Sequence, residues 1–313
     1  MPGSESRKNI ARVAIIQTKP RKGQYAENLH AVSEVFAQLA QDEQPDLVVL
    51  PEAALTGYFL EGAVFELALP ADDFARDLAR AWRENAGDRP VDIACGFFEN
   101  DGGTYYNSAI YLHVHGRVTG HARKDSVKDS SYTITHVHRK LFLPTYGVFD
   151  EERFLSRGRS LQVFETRFGR AAMLVCEDMW HAIVPTIAAI KGARVVIVPS
   201  AAPGRGVEGE TELSSITRWR EILSATASEH GIYVIYAGLT GFEGGKGMTG
   251  SSCVVDPHGY IVVQAGTTES CLIRADLDTR EIDVARANLP LLGDLSSVLP
   301  DLLRDVELRN GEL

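Results

Sequence analysis

Arg170-Ala171-Ala172-Met173-Leu174-Val175-Cys176-Glu177-Asp178-Met179-Trp180 is an apolar run that stops abruptly at a cysteine followed by two acids. Residues 171–175 show no polar alternation, which predicts a strand buried on both faces, and residues 181–191 then predict a helix. A cysteine at such an elbow is held rigidly, with backbone N–H groups and a helix N-terminus at hand to stabilise a thiolate or an oxyanion. A lone cysteine is more often a buried structural thiol. The choice turns on what accompanies it.

Working outward, the same rhythm repeats. Residues 10–18 predict a first strand with Val13, Ile15 and Ile16 as its apolar bulk. Leu29, Val32, Phe36 and Leu39 then recur at helical spacing along residues 25–41. Residues 46–50 predict a buried strand ending at Pro51-Glu52, residues 71–85 a helix, and residues 91–98, 104–113 and 194–198 further strands. Beyond them, residues 212–230 form one apolar-striped helix with Gly231 where a C-terminal stop belongs. Strands follow over residues 232–237, 251–256, 259–264 and 270–276. Strands alternating with helices over short connections predict α/β layering, and no linker or repeat divides the chain. A polar N-terminus (residues 1–9) is expected to be disordered. The tail is expected either to pack on its own domain or to reach a second subunit, with Leu289–Leu292 and Val298–Leu303 as its apolar patches.

Composition narrows the function. In 313 residues the formal charge is -10, with no basic run or basic face, which argues against nucleic acid and anionic membrane surfaces and favours a small-molecule partner. Cys95, Cys176, Cys253 and Cys271 lack metal or disulfide spacing and suit a reducing compartment; no export signal or membrane-length run is present, so a cytoplasmic location is expected.

Two further residues stand out. Glu52 directly follows a buried strand, the place where α/β folds build sites, although a solvated loop carboxylate reads the same way. Lys140 is a cation inside His138-Arg139-Lys140-Leu141-Phe142-Leu143-Pro144; a lysine whose stem merely crosses apolar surface is the plain alternative. Taken with Cys176, they suggest a carboxylate base, a thiol nucleophile and a fixed positive charge facing a tetrahedral oxyanion.

On these residues the chain resembles the nitrilase superfamily of carbon-nitrogen hydrolases, over about residues 10–286, with residues 287–313 as a tail. Asn107-Ser108-Ala109, Pro199-Ser200-Ala201 and Gly250-Ser251-Ser252 support the resemblance by their order. It implies a four-layer αββα sandwich paired into a homodimer or higher homo-oligomer, no metal and no organic cofactor. It also implies a Glu52, Lys140 and Cys176 site, a second glutamate at Glu151, and a substrate held near Tyr58, Tyr146, Glu177, Trp180, Ser200 and Ala201, where the aromatic residues read equally well as core packing. Residues 141–151 and Cys176-Glu177-Asp178 look most like the glutaminase domain of glutamine-dependent NAD synthetases, although no phosphate-cradling loop and no room for an ATP-binding domain are seen. The expected activity is thiol amidase action on a small carboxamide through a thioester. A glutaminase feeding a separate synthetase, a nitrilase and a non-catalytic scaffold are the alternatives; Glu177-Asp178 stands where nitrilases usually carry Trp-Glu, which tilts the reading towards amides.

Three patterns carry no chemistry. Gly245-Lys246-Gly247-Met248-Thr249-Gly250 matches a dinucleotide fingerprint, but a strand-like run follows where a helix is needed. His113-Val114-His115 and His136-Val137-His138 each offer two imidazoles without a third ligand. Residues 123–135, polar and longer than the resemblance requires, predict an inserted loop or hairpin beside the site, which either shapes substrate access or is solvated decoration.

The insertion raises a choice between lysines, since Lys124 lies nearer the usual distance from Asn107. Lys124 is followed by Asp125-Ser126, whereas Lys140 is followed by an apolar wall that can hold an ammonium away from water. Lys140→Ala is therefore expected to lower kcat by about two to three orders of magnitude and Lys124→Ala by less than about threefold. Both rates measured on one amide decide it, and a dead Lys124→Ala beside an active Lys140→Ala reverses the assignment.

Overall fold

The computed structural model describes residues 9–41, 44–116, 131–206 and 213–310. In chain order the strands begin with β1 (Ile10–Gln17), β2 (Leu47–Val49), β3 (Val91–Asp101), β4 (Thr104–Val114) and β5 (Tyr132–Arg139). They continue with β6 (Val163–Thr166), β7 (Gly169–Met173), β8 (Val195–Ser200), β9 (Tyr233–Gly238), β10 (Thr240–Glu243), β11 (Lys246–Thr249), β12 (Cys253–Val255), β13 (Ile261–Gln264) and β14 (Cys271–Asp278). The helices are α1 (Tyr25–Gln41), α2 (Val64–Leu67), α3 (Ala71–Ala86), α4 (Ile183–Ile190), α5 (Ser214–His230), α6 (Arg280–Asn288) and α7 (Leu291–Asn310).

Two six-stranded sheets form, ordered β14-β1-β2-β3-β4-β5 and β13-β12-β9-β8-β7-β6. Their inner faces meet, and the period-two pleat decides which side chains go where. In β1, Val13 and Ile15 face the second sheet's Ala172, Val196 and Ile235, while Ala14 and Ile16 face Val32 and Phe36 of α1 and Leu78 and Trp82 of α3. On the far side, Ala188 of α4 and Trp219, Leu223 and Ala227 of α5 cover the second sheet. The result is the expected four-layer αββα sandwich. Parallel runs β1-β2-β3 and β7-β8-β9 sit at the centre of each sheet, so both sheets point the C-terminal ends of their parallel strands at loops that carry polar residues.

The tail divides in two. Helix α6 packs on its own domain: Ile282 is fully buried, and Arg286 donates to the carbonyls of Ala193 and His230. Helix α7 lies against α4 and α5 yet leaves Val298, Leu302, Leu303 and Val306 exposed.

Two sequence expectations are refined by the structure. Residues 132–135, expected within the inserted loop or hairpin, form the start of β5, where Tyr132, Ile134 and Val137 pack beside the α1 and α3 core; residues 123–130 of that insertion, with Lys124, lie outside the described residues, as do residues 1–8. The helix expected from residue 181 is α4 from Ile183, preceded by a 3₁₀ turn over Cys176–Trp180. The fingerprint-like glycines form the β10–β11 hairpin.

Close approach of β3 to the Glu52 loop requires Gly96. A Cβ there would lie 2.4 Å from the Cα of Glu52 and 2.8 Å from the carbonyl oxygen of Pro51. Both neighbours are backbone, so neither can rotate aside. Gly96→Ala is expected to destabilise the fold by about 1–3 kcal/mol and to displace Glu52; denaturant midpoints check this, and an unchanged midpoint refutes it.

Candidate active site

Each strand end delivers one group. Glu52 follows β2, Lys140 follows β5, Cys176 follows β7, and Ser200 and Ala201 close β8. Lys140 lies beside Asn107 because its N–H donates to the Asn107 carbonyl at 2.8 Å, extending the β4–β5 pairing by one residue. Glu52, Lys140, Glu151 and Cys176 are all buried, with Glu52 and Lys140 wholly so.

A hydrogen-bond network organises them. Lys140 Nζ donates to Glu52 Oε1 at 3.0 Å and to Glu151 Oε1 at 2.7 Å. Asn107 Nδ2 donates to the same two oxygens at 2.6 and 3.2 Å, and the Tyr58 hydroxyl donates to Glu151 Oε1. The Ala201 N–H donates to Glu52 Oε2 at 2.7 Å, and Ser200 Oγ donates to Cys176 Sγ at 3.3 Å. Glu243 in turn holds the Tyr58 loop, accepting from the N–H groups of Tyr58 and Phe59.

Charge follows from this geometry. Burial opposes the Lys140 ammonium, but Glu151 and Glu52 outweigh it and hold the lysine pKa well above its ordinary value. Burial, then the nearby Glu52 charge, push the Cys176 thiol up, while Lys140, Ser200 and the Ala201 N–H act the other way. Burial and Glu52 therefore favour the Cys176 thiol over its thiolate. The helix N-terminus expected just after the cysteine lies further on: α4 begins only at Ile183, and Cys176 sits in the 3₁₀ turn with a φ of 46°. A non-glycine residue there is strained, and the strain turns the side chain out of the strand line towards Ser200.

The residues expected around the substrate separate into two groups. Tyr58 is buried on Glu151, and Ser200 and the Ala201 backbone contact Cys176 and Glu52, so these three brace the reacting groups. Tyr146, Glu177 and Trp180 line a narrow cleft at Cys176 with Phe149, Arg205 and Trp219. There the Tyr146 hydroxyl donates to the Glu177 carboxylate at 2.9 and 3.0 Å, and Trp180 stands edge-on to Trp219. A wider cavity of about 470 Å³ abuts Tyr58 and Glu151 instead of Cys176.

Sequence reading did not single out Arg205, Phe149 or Asp178, and it named Asn107 only as a landmark. Asn107 was reachable, since its strand must run beside the lysine strand; Arg205 sits in a loop whose direction no local pattern announces. His138 is buried against Asp178, and among the described residues no cluster of three His, Cys, Asp or Glu side chains could hold a metal. Cys95 and Cys253 are buried, whereas Cys271 is half-exposed and so accessible to thiol reagents.

A buried thiol, ammonium and carboxylate gathered at strand ends equip the molecule to attack an electrophilic carbon and move protons there. Comparison with known proteins supplies the class. The carbon-nitrogen hydrolase family model matches residues 12–287, and the chain belongs to that family. It is a hydrolase acting on carbon–nitrogen bonds other than peptide bonds. The glutamine-dependent NAD(+) synthetase of Thermotoga maritima is 27% identical over 270 residues, which are 86% of this chain but 42% of that protein; the chain spans about half or less of such synthetase relatives. The 2-oxoglutaramate amidase of Bacillus subtilis is 25% identical over 284 residues, 90% of this chain and 96% of that protein. A carbon-nitrogen hydrolase from Helicobacter pylori G27 shares the fold with a TM-score of 0.77, at 24% identity over 95% of this chain and 99% of that one.

Glu151 gives the site a pH signature. Burial raises its pKa to about 7, against the opposing Lys140 charge and with a further push from Glu52. Its Oε2 is buried without a partner, so a proton there breaks none of the three bonds at Oε1. A pKa higher in the folded than in the unfolded state means the folded protein binds this proton more tightly. The associated stability is complete below pH 4.5 and is lost as pH rises through about 7. Glu151→Gln cannot titrate, so its stability relative to the parent, and with it its relative melting temperature, is expected to rise between pH 5 and 8, the stability difference growing by on the order of 3 kcal/mol at most. Parallel melting curves for the two proteins across that range measure it, and a constant difference refutes it.

Proposed function

We propose that the chain is a thiol amidase that hydrolyses a small carboxamide through a thioester. In this reading Glu52 accepts the Cys176 proton as the sulfur attacks the amide carbon, and the oxyanion is held by the Lys140 ammonium and the Glu177 N–H. Collapse of the tetrahedral intermediate breaks the carbon–nitrogen bond, the proton passing from Glu52 to the departing ammonia or amine. Glu52 then takes a proton from water, whose oxygen attacks the thioester; the carboxylic acid leaves and the proton returns to Cys176. The observation that carries the reading is the sharing of Glu52. One carboxylate oxygen takes the lysine ammonium and the other the Ala201 N–H next to the cysteine's own partner, Ser200, which supports one residue serving both the charge and the proton. Glu151 tunes Lys140.

Arg205 supports a narrower substrate class. Its guanidinium lies 5.5 Å over the Tyr146 ring and 4.8 Å over that of Phe149, at the cleft containing Cys176, and among the described residues it has no carboxylate within ion-pair distance. A cation held there by rings is suited to an anionic group on the substrate. Amides bearing a carboxylate fit it, as do the substrates in the names of two relatives, the 2-oxoglutaramate amidase and the citrullinase of Francisella tularensis. The NAD(+) synthetase relatives leave glutaminase action for a separate synthetase as a second reading with the same residues. A homo-oligomer formed through the apolar side of α7, and a cytoplasmic site of action, complete the proposal; among the described residues no helix is long and apolar enough to cross a membrane.

A panel of carboxylate-bearing amides, neutral amides and matched nitriles, read by ammonia release, tests this. Carboxylate-bearing amides are expected to exceed both neutral amides and nitriles in kcat/KM by at least about tenfold, roughly 1.4 kcal/mol in barrier. Arg205→Ala should erase the preference over neutral amides, and Cys176→Ser should abolish turnover while modification of Cys271 does not. A nitrile preferred tenfold, or turnover surviving in Cys176→Ser, overturns the assignment.

A further inference from the structure

Lys140 and Cys176 belong to different sheets. No strand ladder joins them, yet the proposed chemistry requires the ammonium and the sulfur to face one carbonyl oxygen and carbon within a few tenths of an ångström. Besides Glu52, which meets Lys140 and the Ala201 N–H, the side chain that spans the gap is Asp178, which is wholly buried. Its Oδ2 accepts from the Val175 N–H at 3.1 Å and from His138 Nε2 at 2.8 Å. Its Oδ1 accepts from the N–H groups of Leu141 and Phe142 at 2.9 and 3.1 Å. Only the Val175 bond is the local cap that an acid in the first turn of a helix ordinarily makes. The other three cross to the first sheet, and they grip the chain on both sides of Lys140, at His138 before it and at Leu141 and Phe142 after it.

We propose that Asp178, assisted by His138, is a positioning residue that clips the lysine segment to the nucleophile turn and so sets the distance between the ammonium and the sulfur. The inference rests on the thiol amidase reading. Chemistry singles out aspartate here. All four donors point at one carboxylate, and asparagine must turn its NH₂ towards two of them, either the backbone pair of Leu141 and Phe142 or the pair of Val175 and His138. Glutamate adds a methylene to a site with no free space. His138 is buried and donates through Nε2, so that nitrogen carries the proton and fixes the ring's orientation. A displacement of about 1 Å between reacting groups is enough to cost about a hundredfold in rate.

A double-mutant cycle separates positioning from general structural support, using Asp178→Asn and Lys140→Ala singly and together. Three quantities are read: kcat and KM on one amide, the rate of Cys176 alkylation by iodoacetamide located by peptide mapping, and the melting temperature. In the parent, Asp178→Asn is expected to lower kcat by about a hundredfold with KM within about threefold, and to slow alkylation, since a well-placed ammonium favours the reactive thiolate. In Lys140→Ala the same change is expected to cost less than about threefold in either rate, because the group it positions is gone. Equal factors in both backgrounds, or a lowered melting temperature with kcat intact, overturn the proposal.

If Asp178→Asn does not fold, His138→Ala replaces it in the cycle, since it removes one of the four bonds and keeps the three backbone ones. His138→Gln, which restores a donor to Asp178, should then recover most of the lost rate; no recovery counts against the clip. A parent protein inert towards every amide defeats the amidase reading, and the alkylation arm of the cycle still decides whether Asp178 acts through Lys140.

Discussion

A lysine with no exposed surface must have its charge answered inside the protein, and most of the site follows from how Lys140 is answered. Isolated in an apolar interior the ammonium would lose its proton; paired with two carboxylates it keeps it. Glu52 and Glu151 crowd one oxygen each onto Nζ, and Asn107 Nδ2 donates to the same two oxygens. That cluster is expensive to bury, and removal of any one partner leaves a charge uncompensated. The surrounding backbone is accordingly committed to it: Gly96 lets β3 lie against Glu52, Ala201 donates to its second oxygen, and Glu243 fastens the loop that brings Tyr58 to Glu151.

The sandwich explains why such a cluster can be assembled. Each sheet presents the ends of its central parallel strands on one side, and packing the inner faces together brings two sets of strand ends into one place. The first sheet contributes Glu52 and Lys140; the second contributes Cys176, Ser200 and Ala201. Hydrophobic packing holds the sheets together but does not choose a register to a few tenths of an ångström. Directional polar contacts between the sheets, those of Asp178 and of Ala201 with Glu52, supply that precision.

Membership of the carbon-nitrogen hydrolase family places the chain among enzymes that cleave non-peptide carbon–nitrogen bonds. The relatives that match it over nearly their full length are amidase-like, whereas only 42% of the Thermotoga maritima synthetase is covered. The cleft at Cys176 combines Tyr146, Phe149 and Trp180 with Glu177 and Arg205, so rings and charged side chains share its wall.

Local sequence determined the elements and the acids and thiol at their ends. Unbroken apolar runs at residues 47–50 and 171–175 can only be strands covered on both faces, helical stripes at residues 25–41 and 214–230 need a sheet to lie on, and a polar residue directly after a buried strand stands at an edge of the core. That is why the layering, Glu52 and Cys176 were legible. The beginning of β5 was not, because its alternation of Tyr132, Ile134 and Val137 with polar residues reads as a polar segment until α3 is in place beside it. Nor was the upward push on the Cys176 thiol, which depends on its burial and on Glu52 arriving from the other sheet. Arg205 and the second face of Asp178 belong to the same category. Their partners are 36 or more residues away along the chain, and only the packing of one sheet on the other decides which of many polar side chains will meet.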